Sequence, residues 1–141
     1  MKTDFKDMMV FIDAENISYK YIDKIYNLTN SYNMNTEIRY YSRQKGTNTK
    51  SWIKNNRHKF KAILLYGKSD KNKVDKKIIK DIRKLQNNSM ISHICLVSND
   101  GDYASILNES KDKGKNIIVL STRQVSYKLI RICDEYKCMQ K

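Results

Sequence analysis

Five short apolar runs, each followed by a segment of helical character, constrain this chain more than any other feature. Met8 to Ile12 (MMVFI), Thr36 to Ser42 (TEIRYYS), Ala62 to Tyr66 (AILLY), Ile94 to Val97 (ICLV) and Asn116 to Leu120 (NIIVL) have the length and the β-branched or aromatic content of strands. Between them the period changes. Ile17 to Asn30 carries Tyr21, Ile22, Ile25, Tyr26 and Leu28 at near-helical spacing, and Thr49 to Phe60 reads as a basic helix around Trp52 and Ile53. Val74, Ile78, Ile79, Ile82 and Leu85 form the apolar stripe of an amphipathic helix whose outer face is basic. Tyr103, Ile106 and Leu107 open a further helix that stops near Lys113-Gly114, and Val125 to Ile132 reads as the last one. Regular alternation of this kind predicts a Rossmann-like, three-layer α/β/α sandwich with a mainly parallel sheet of about five strands. Right-handed crossovers leave few strand orders, and the expected one sets the first strand centrally beside the fourth, where the winding reverses.

Residues 1–141 are expected to form a single domain, since no stretch reads as a linker and no repeat is present. With 28 Lys and Arg against 15 Asp and Glu, the net charge is +13. Part of that follows from a general abundance of Lys and Asn, but a balance so basic suits a polyanionic partner such as nucleic acid. Cys95, Cys133 and Cys138 make no CxxC pair, and with only His58 and His93 beside them they do not frame a zinc site. The odd count and the lack of a leader pattern point to a reducing cytoplasm. No apolar run nears the ~20 residues that span a bilayer, so no membrane association is expected.

The acids are few, yet they recur where strands end. Asp13 follows the first strand, Asp75 lies in the first turn of the helix after the third, and Asp100 and Asp102 follow the fourth. In a parallel sheet these turns share one edge, the edge at which open α/β sheets bind ligands. Each acid alone is equally well explained as a helix cap or a partner of the helix dipole. Together, on three separate loops, they would repel one another unless a cation lay between them. Carboxylate and water ligands suit Mg²⁺ or Mn²⁺. Asn16 and Asn99, with Ser98, stand close by as neutral ligands or supports. An acidic pocket within a basic field matches metal-assisted hydrolysis of a phosphodiester.

Three segments resemble the NYN domain family, relatives of the PIN-like nucleases, and its LabA-like branch above all: FIDAEN (Phe11 to Asn16), KVD (Lys73 to Asp75) and VSNDGDY (Val97 to Tyr103). Lys113-Gly114-Lys115 and Cys133-Asp134-Glu135-Tyr136 extend the likeness over nearly the whole chain. The resemblance implies a PIN-like fold and a divalent-metal ribonuclease. Asp13, Asp75, Asp100 and Asp102 would be its catalytic acids, the first three holding Mg²⁺ or Mn²⁺. Asn16 would match the family's partner asparagine and Asp81 its later helical acid. Asp81, however, follows Asp75 by six residues, about 240° around the helix, and so falls on another face. Asn99 stands where the family has glycine, Lys73 replaces a glycine, and Asn72 sits where lysine is common.

RNA is the expected partner, with Arg39, Arg43 and Lys73 contacting its backbone and Tyr19, Tyr40, Tyr41, Trp52 and Tyr103 as candidates for base stacking. Neither histidine is placed to act as a base. A homodimer, or a protein partner that supplies selectivity, remains open. A haloacid-type phosphotransfer site is disfavoured because Glu15, not aspartate, lies two residues after Asp13. A Toprim-like site would want glutamate in place of Asp13. The rival from another class is a non-catalytic RNA-binding or regulatory module that keeps the fold; a subunit acting through protein contacts is a third reading.

Overall fold

The computed structural model describes residues 7–67 and 73–140. Six parallel strands form one sheet: β1 (Asp7–Asp13), β2 (Thr36–Arg43), β3 (Lys61–Leu65), β4 (Ile91–Val97), β5 (Asn116–Ser121) and β6 (Glu135–Cys138). Their order is β3-β2-β1-β4-β5-β6. The helices are α1 (Ile22–Asn30), α2 (Thr49–Lys54), α3 (Lys73–Leu85), α4 (Ala104–Asp112) and α5 (Tyr127–Ile132). As expected, β1 is central and pairs with both β2 and β4. The chain winds outward from β1 to β3, crosses back through α3, and winds outward again from β4 to β6.

That reversal puts the helices on opposite faces and splits the core in two. Met8, Val10 and Ile12 of β1 pack with Ile22 and Ile25 of α1 and Trp52 of α2. Met9 and Phe11, of opposite parity, pack with Val74, Ile78 and Ile82 of α3 and Ile106 and Leu107 of α4. Successive strand residues point to opposite faces, so a run apolar at every position belongs to a strand covered on both sides. β1 and β4 are such strands, and every residue from Met8 to Asp13 and from Ile94 to Val97 is buried. Cys95 is part of this core, as its place in the apolar run implied.

The sheet of about five strands has a sixth, β6, which is four residues long, EYKC, too short and polar to show a pattern. The backbone flanking it is nonetheless tied in, with the Met139 amide donating to the Ser121 carbonyl at 2.7 Å and the Asp134 amide to the Ile117 carbonyl at 2.8 Å. The basic helix ends at Lys54 instead of Phe60. There Asn56 Oδ1 accepts from the Phe60 amide at 2.8 Å, Asn56 Nδ2 donates to the Phe60 carbonyl at 2.9 Å, and Lys59 takes a φ of +58°, so the chain turns directly into β3. The segment after β1 starts with a 3-10 turn, Tyr19–Tyr21, capped by Ser18, before α1 begins. Residues 68–72, Asn72 among them, lie outside the described residues. Among the described residues no helix is long and apolar enough to cross a membrane.

Candidate functional site

Strand parity aims the acids. Asp13 follows Met9 and Phe11 in register, so its side chain points to the α3–α4 face, and Ser98, one residue past β4, has the parity of Ile94 and Leu96. The paired register Ile12 to Val97 sets Asp13 beside Ser98. The Ser98 hydroxyl accordingly donates to Asp13 Oδ2 at 3.3 Å. Asp75 is carried to the same place by the first turn of α3, and Asp100 by the turn after β4. One carboxylate oxygen from each of Asp13, Asp75 and Asp100 lies within 4.8 Å of the others.

Capping explains only part of this. Asp100 does cap its turn, its Oδ1 accepting from the Asp102 amide at 2.9 Å. Asp13 does not: its backbone carbonyl takes the Asn16 and Ile17 amides at 3.0 and 2.9 Å, leaving the side chain to the cluster. Asp13 is 2% exposed, and its Oδ1 is buried with no hydrogen-bond partner among the described residues. A buried, unpartnered carboxylate oxygen is costly. Burial, reinforced by Asp75 and Asp100, pushes the Asp13 carboxyl up to about 7 from an ordinary 3.8. Burial, together with the charge of Asp100, also raises Asp75. Three converging acids with one orphaned oxygen are the donor set that a hard divalent cation satisfies, and the residues fit such an ion.

Tyr103, one of the candidates for base stacking, is fully buried and joins two of the acids. Its hydroxyl lies 2.8 Å from Asp75 Oδ1 and 3.1 Å from Asp13 Oδ2. A phenol has one hydrogen. It donates to one carboxylate at a time, and the second contact is filled when that carboxyl carries a proton. Burial and the neighbouring carboxylates raise both acids, while the Tyr103 hydrogen bond acts the other way and lowers them. Burial and the two carboxylates drive the Tyr103 phenol far above its usual range, so it stays a donor. The aromatic position after the second acid of NDGDY was the one signal in the sequence, and it is ambiguous between ring packing and hydroxyl bonding.

The neutral residues act as staples. Asn16 Oδ1 accepts from the Asn99 amide at 3.1 Å. Asn99 has both ends of its own side chain committed to Thr122, donating to its hydroxyl and accepting its amide at 2.9 Å each. Ser98 Oγ also accepts from the Asp100 amide at 3.1 Å. Thr122, which sequence reasoning did not single out, thus anchors the acidic turn to the end of β5. Asp102 is exposed and outside the three-acid group, though near enough for its charge to raise Asp75.

The basic residues divide. Arg43, at the end of β2, pairs through Nε with Glu15 Oε1 at 2.7 Å, and Ser42 donates to Glu15 Oε2 at 2.8 Å. Lys73, at the start of α3, donates to the Tyr66 carbonyl. Arg39 lies four residues before the end of β2, paired with Glu37, 3.5 Å from the Tyr41 hydroxyl and 3.9 Å from Asp81. Asp81 falls on another face of α3 than Asp75, as its spacing implied, and that face is buried. Asp81 is 8% exposed, accepts from Tyr41 at 2.7 Å and meets Lys77 at 3.1 Å, away from the three acids. Of the stacking candidates, Tyr40, Tyr41 and Trp52 are buried with Tyr103, because their strand and helix positions face the two cores, and Tyr19 is half-buried. His58 bonds Asp23 and stacks on Tyr26, and His93 bonds Ser92; neither is at the acidic edge.

Known proteins share the fold, and one family shares the sequence pattern. A crystal structure of a Vibrio parahaemolyticus protein of unknown function superposes with a TM-score of 0.76, covering 100% of this chain and 98% of that one at 18% identity, which establishes a shared fold. No curated protein sequence matches the chain. The NYN domain, however, matches residues 7–139, a span that starts with β1 and closes after β6 and includes all the acids described above. The chain belongs to the NYN domain family.

Proposed function

We propose that this protein, as a LabA-like member of its family, is a divalent-metal ribonuclease that hydrolyses RNA phosphodiester bonds at the carboxyl edge of the sheet. The observation that carries the reading is the convergence of Asp13, Asp75 and Asp100, one oxygen of each within 4.8 Å of the others, with a buried Asp13 oxygen left unpartnered among the described residues. Asp13, Asp75 and Asp100 would hold Mg²⁺ or Mn²⁺. The ion, when bound, supplies neutralisation of the scissile phosphate and activation of a water. The chain's own part is to orient. Tyr103 and Ser98 fix the direction of Asp13, the Asn16–Asn99–Thr122 staples hold the acidic turn against β1 and β5, and exposed Asp102 stands at the rim to steer water. Arg43 and Lys73, on the same edge, flank the path of the RNA backbone, and Arg39 supports it from farther along β2. The net charge of +13 concentrates the polyanion around this pocket.

The test is cleavage of a labelled single-stranded RNA with Mn²⁺, Mg²⁺ or EDTA, comparing wild type with Asp100→Asn. Cleavage that needs the ion and falls at least about 100-fold in the variant is expected, the scale on which lost electrostatic catalysis is felt. RNA binding without cleavage in any metal would assign the chain to the non-catalytic binders.

A further inference from the structure

Of the large apolar side chains among the described residues, Tyr127 is the most exposed at 70%. A lone exposed aromatic ordinarily needs no explanation. Its position makes this one different. Tyr127 opens α5, and the residues on either side of it touch the acidic turn. A Cβ at Gly101, the glycine between Asp100 and Asp102, would meet Ser126 Oγ at 2.5 Å and Lys128 Cδ at 3.3 Å. The Ser126 amide donates to the Asn99 carbonyl at 2.9 Å. The helix is fixed beneath by fully buried Leu129, so Tyr127 stands on a rigid mount next to the acids.

One turn further on, the Arg131 guanidinium lies 5.8 Å from the centre of the Tyr127 ring. Arg131, Lys128 and Arg123 are all exposed. A planar aromatic surface with a cation against it, and two more exposed cations within four residues along the chain, has the chemistry that accepts a nucleobase and its phosphate. An apolar protein partner would be poorly matched to three exposed cations.

Resting on the ribonuclease reading, we propose that Tyr127 with Arg131 is a stacking platform for an unpaired base of single-stranded RNA, holding the strand beside the acidic edge. A paired base in a duplex offers no free face to such a ring, so the platform selects single strands over duplexes.

The experiment is fluorescence anisotropy of a labelled single-stranded RNA and of its duplex in EDTA, with wild type, Tyr127→Ala and Tyr127→Phe. Binding to the single strand weakens about 5- to 150-fold in Tyr127→Ala, the range of one lost base stack, and stays within about twofold of wild type in Tyr127→Phe. Duplex binding changes by less than about twofold in both. The proposal is overturned if Tyr127→Ala binds the single strand as wild type does, if it loses duplex and single strand equally, or if wild type binds no single strand. Because no cleavage is read, the two ideas fail separately. Tyr127-dependent binding by a protein that never cleaves RNA would remove the nuclease and leave the platform; metal-dependent cleavage in the assay above, by a protein whose single-strand binding in EDTA is indifferent to Tyr127→Ala, would do the reverse.

Discussion

The residue on which the acidic pocket turns is Tyr103. Its ring is part of the core that packs α3 and α4 on the sheet, while its hydroxyl lies between Asp13 and Asp75. A group that orients a ligand's carboxylate without touching the ion still governs affinity, since outer partners typically matter 10- to 100-fold. Tyr103→Phe keeps the ring and removes the hydrogen. Affinity for Mn²⁺ measured by titration calorimetry is therefore expected to drop about 10- to 100-fold, with the fold intact by circular dichroism. Unchanged affinity would reduce Tyr103 to packing. The residue scale is also where the sequence was least legible. NDGDY marks the two acids through their types and positions, but whether a tyrosine buries its ring, bonds its hydroxyl or stands in water depends on neighbours contributed by other segments. Tyr103 and Tyr127 have the same side chain and opposite fates.

At the scale of elements, the loops after β1 and β4 and the start of α5 form one unit. Gly101 is needed there for space rather than for an unusual φ, because Ser126 and Lys128 occupy the volume a side chain would take. Gly101→Ala should cost about 1–3 kcal/mol in urea unfolding through this overlap. Ser126→Gly removes both the Oγ and Cβ that cause it, and glycine is a tolerable replacement at the start of a helix. The double variant should recover more than about 0.5 kcal/mol relative to additivity, the threshold at which contacting sites reveal coupling. Strict additivity would refute the contact. The elements themselves were legible where apolar period and length agree, in β1, β4 and α3. Their ends were not: the Asn56 turn that stops α2 is a side-chain bond to a residue four further on, and β6 exists because β5 offers it an edge.

For the molecule as a whole, gathering these acids opposes folding when no ion is bound. With the Asp13 carboxyl raised from 3.8 to about 7, the folded state binds a proton more tightly than the unfolded state. Its favourable contribution is complete below about pH 4, declines as pH rises and is gone above about pH 7, a change on the order of a few kcal/mol. Asp13→Asn is neutral throughout. In metal-free buffer its melting temperature should exceed that of wild type by a margin that widens between about pH 4 and pH 7 and then levels off. With saturating Mn²⁺ at pH 8 the order should reverse, because only wild type gains from binding. A margin independent of pH would mean that Asp13 stays charged in the empty pocket.

The layered fold, the central place of β1 beside β4 and the presence of acids at strand ends were all legible in the order of the residues. These depend on short-range period and on chain handedness, which local residue order carries. Which acids meet was settled by how the segments pack. Asp13, Asp75 and Asp100 converge because sheet parity and the crossover of α3 aim them at one point, whereas Asp81, on the same helix as Asp75, turns to Tyr41 and Lys77. Convergence is a property of distances between segments far apart in the chain, and burial is what turns that proximity into a raised pKa and an unpartnered oxygen.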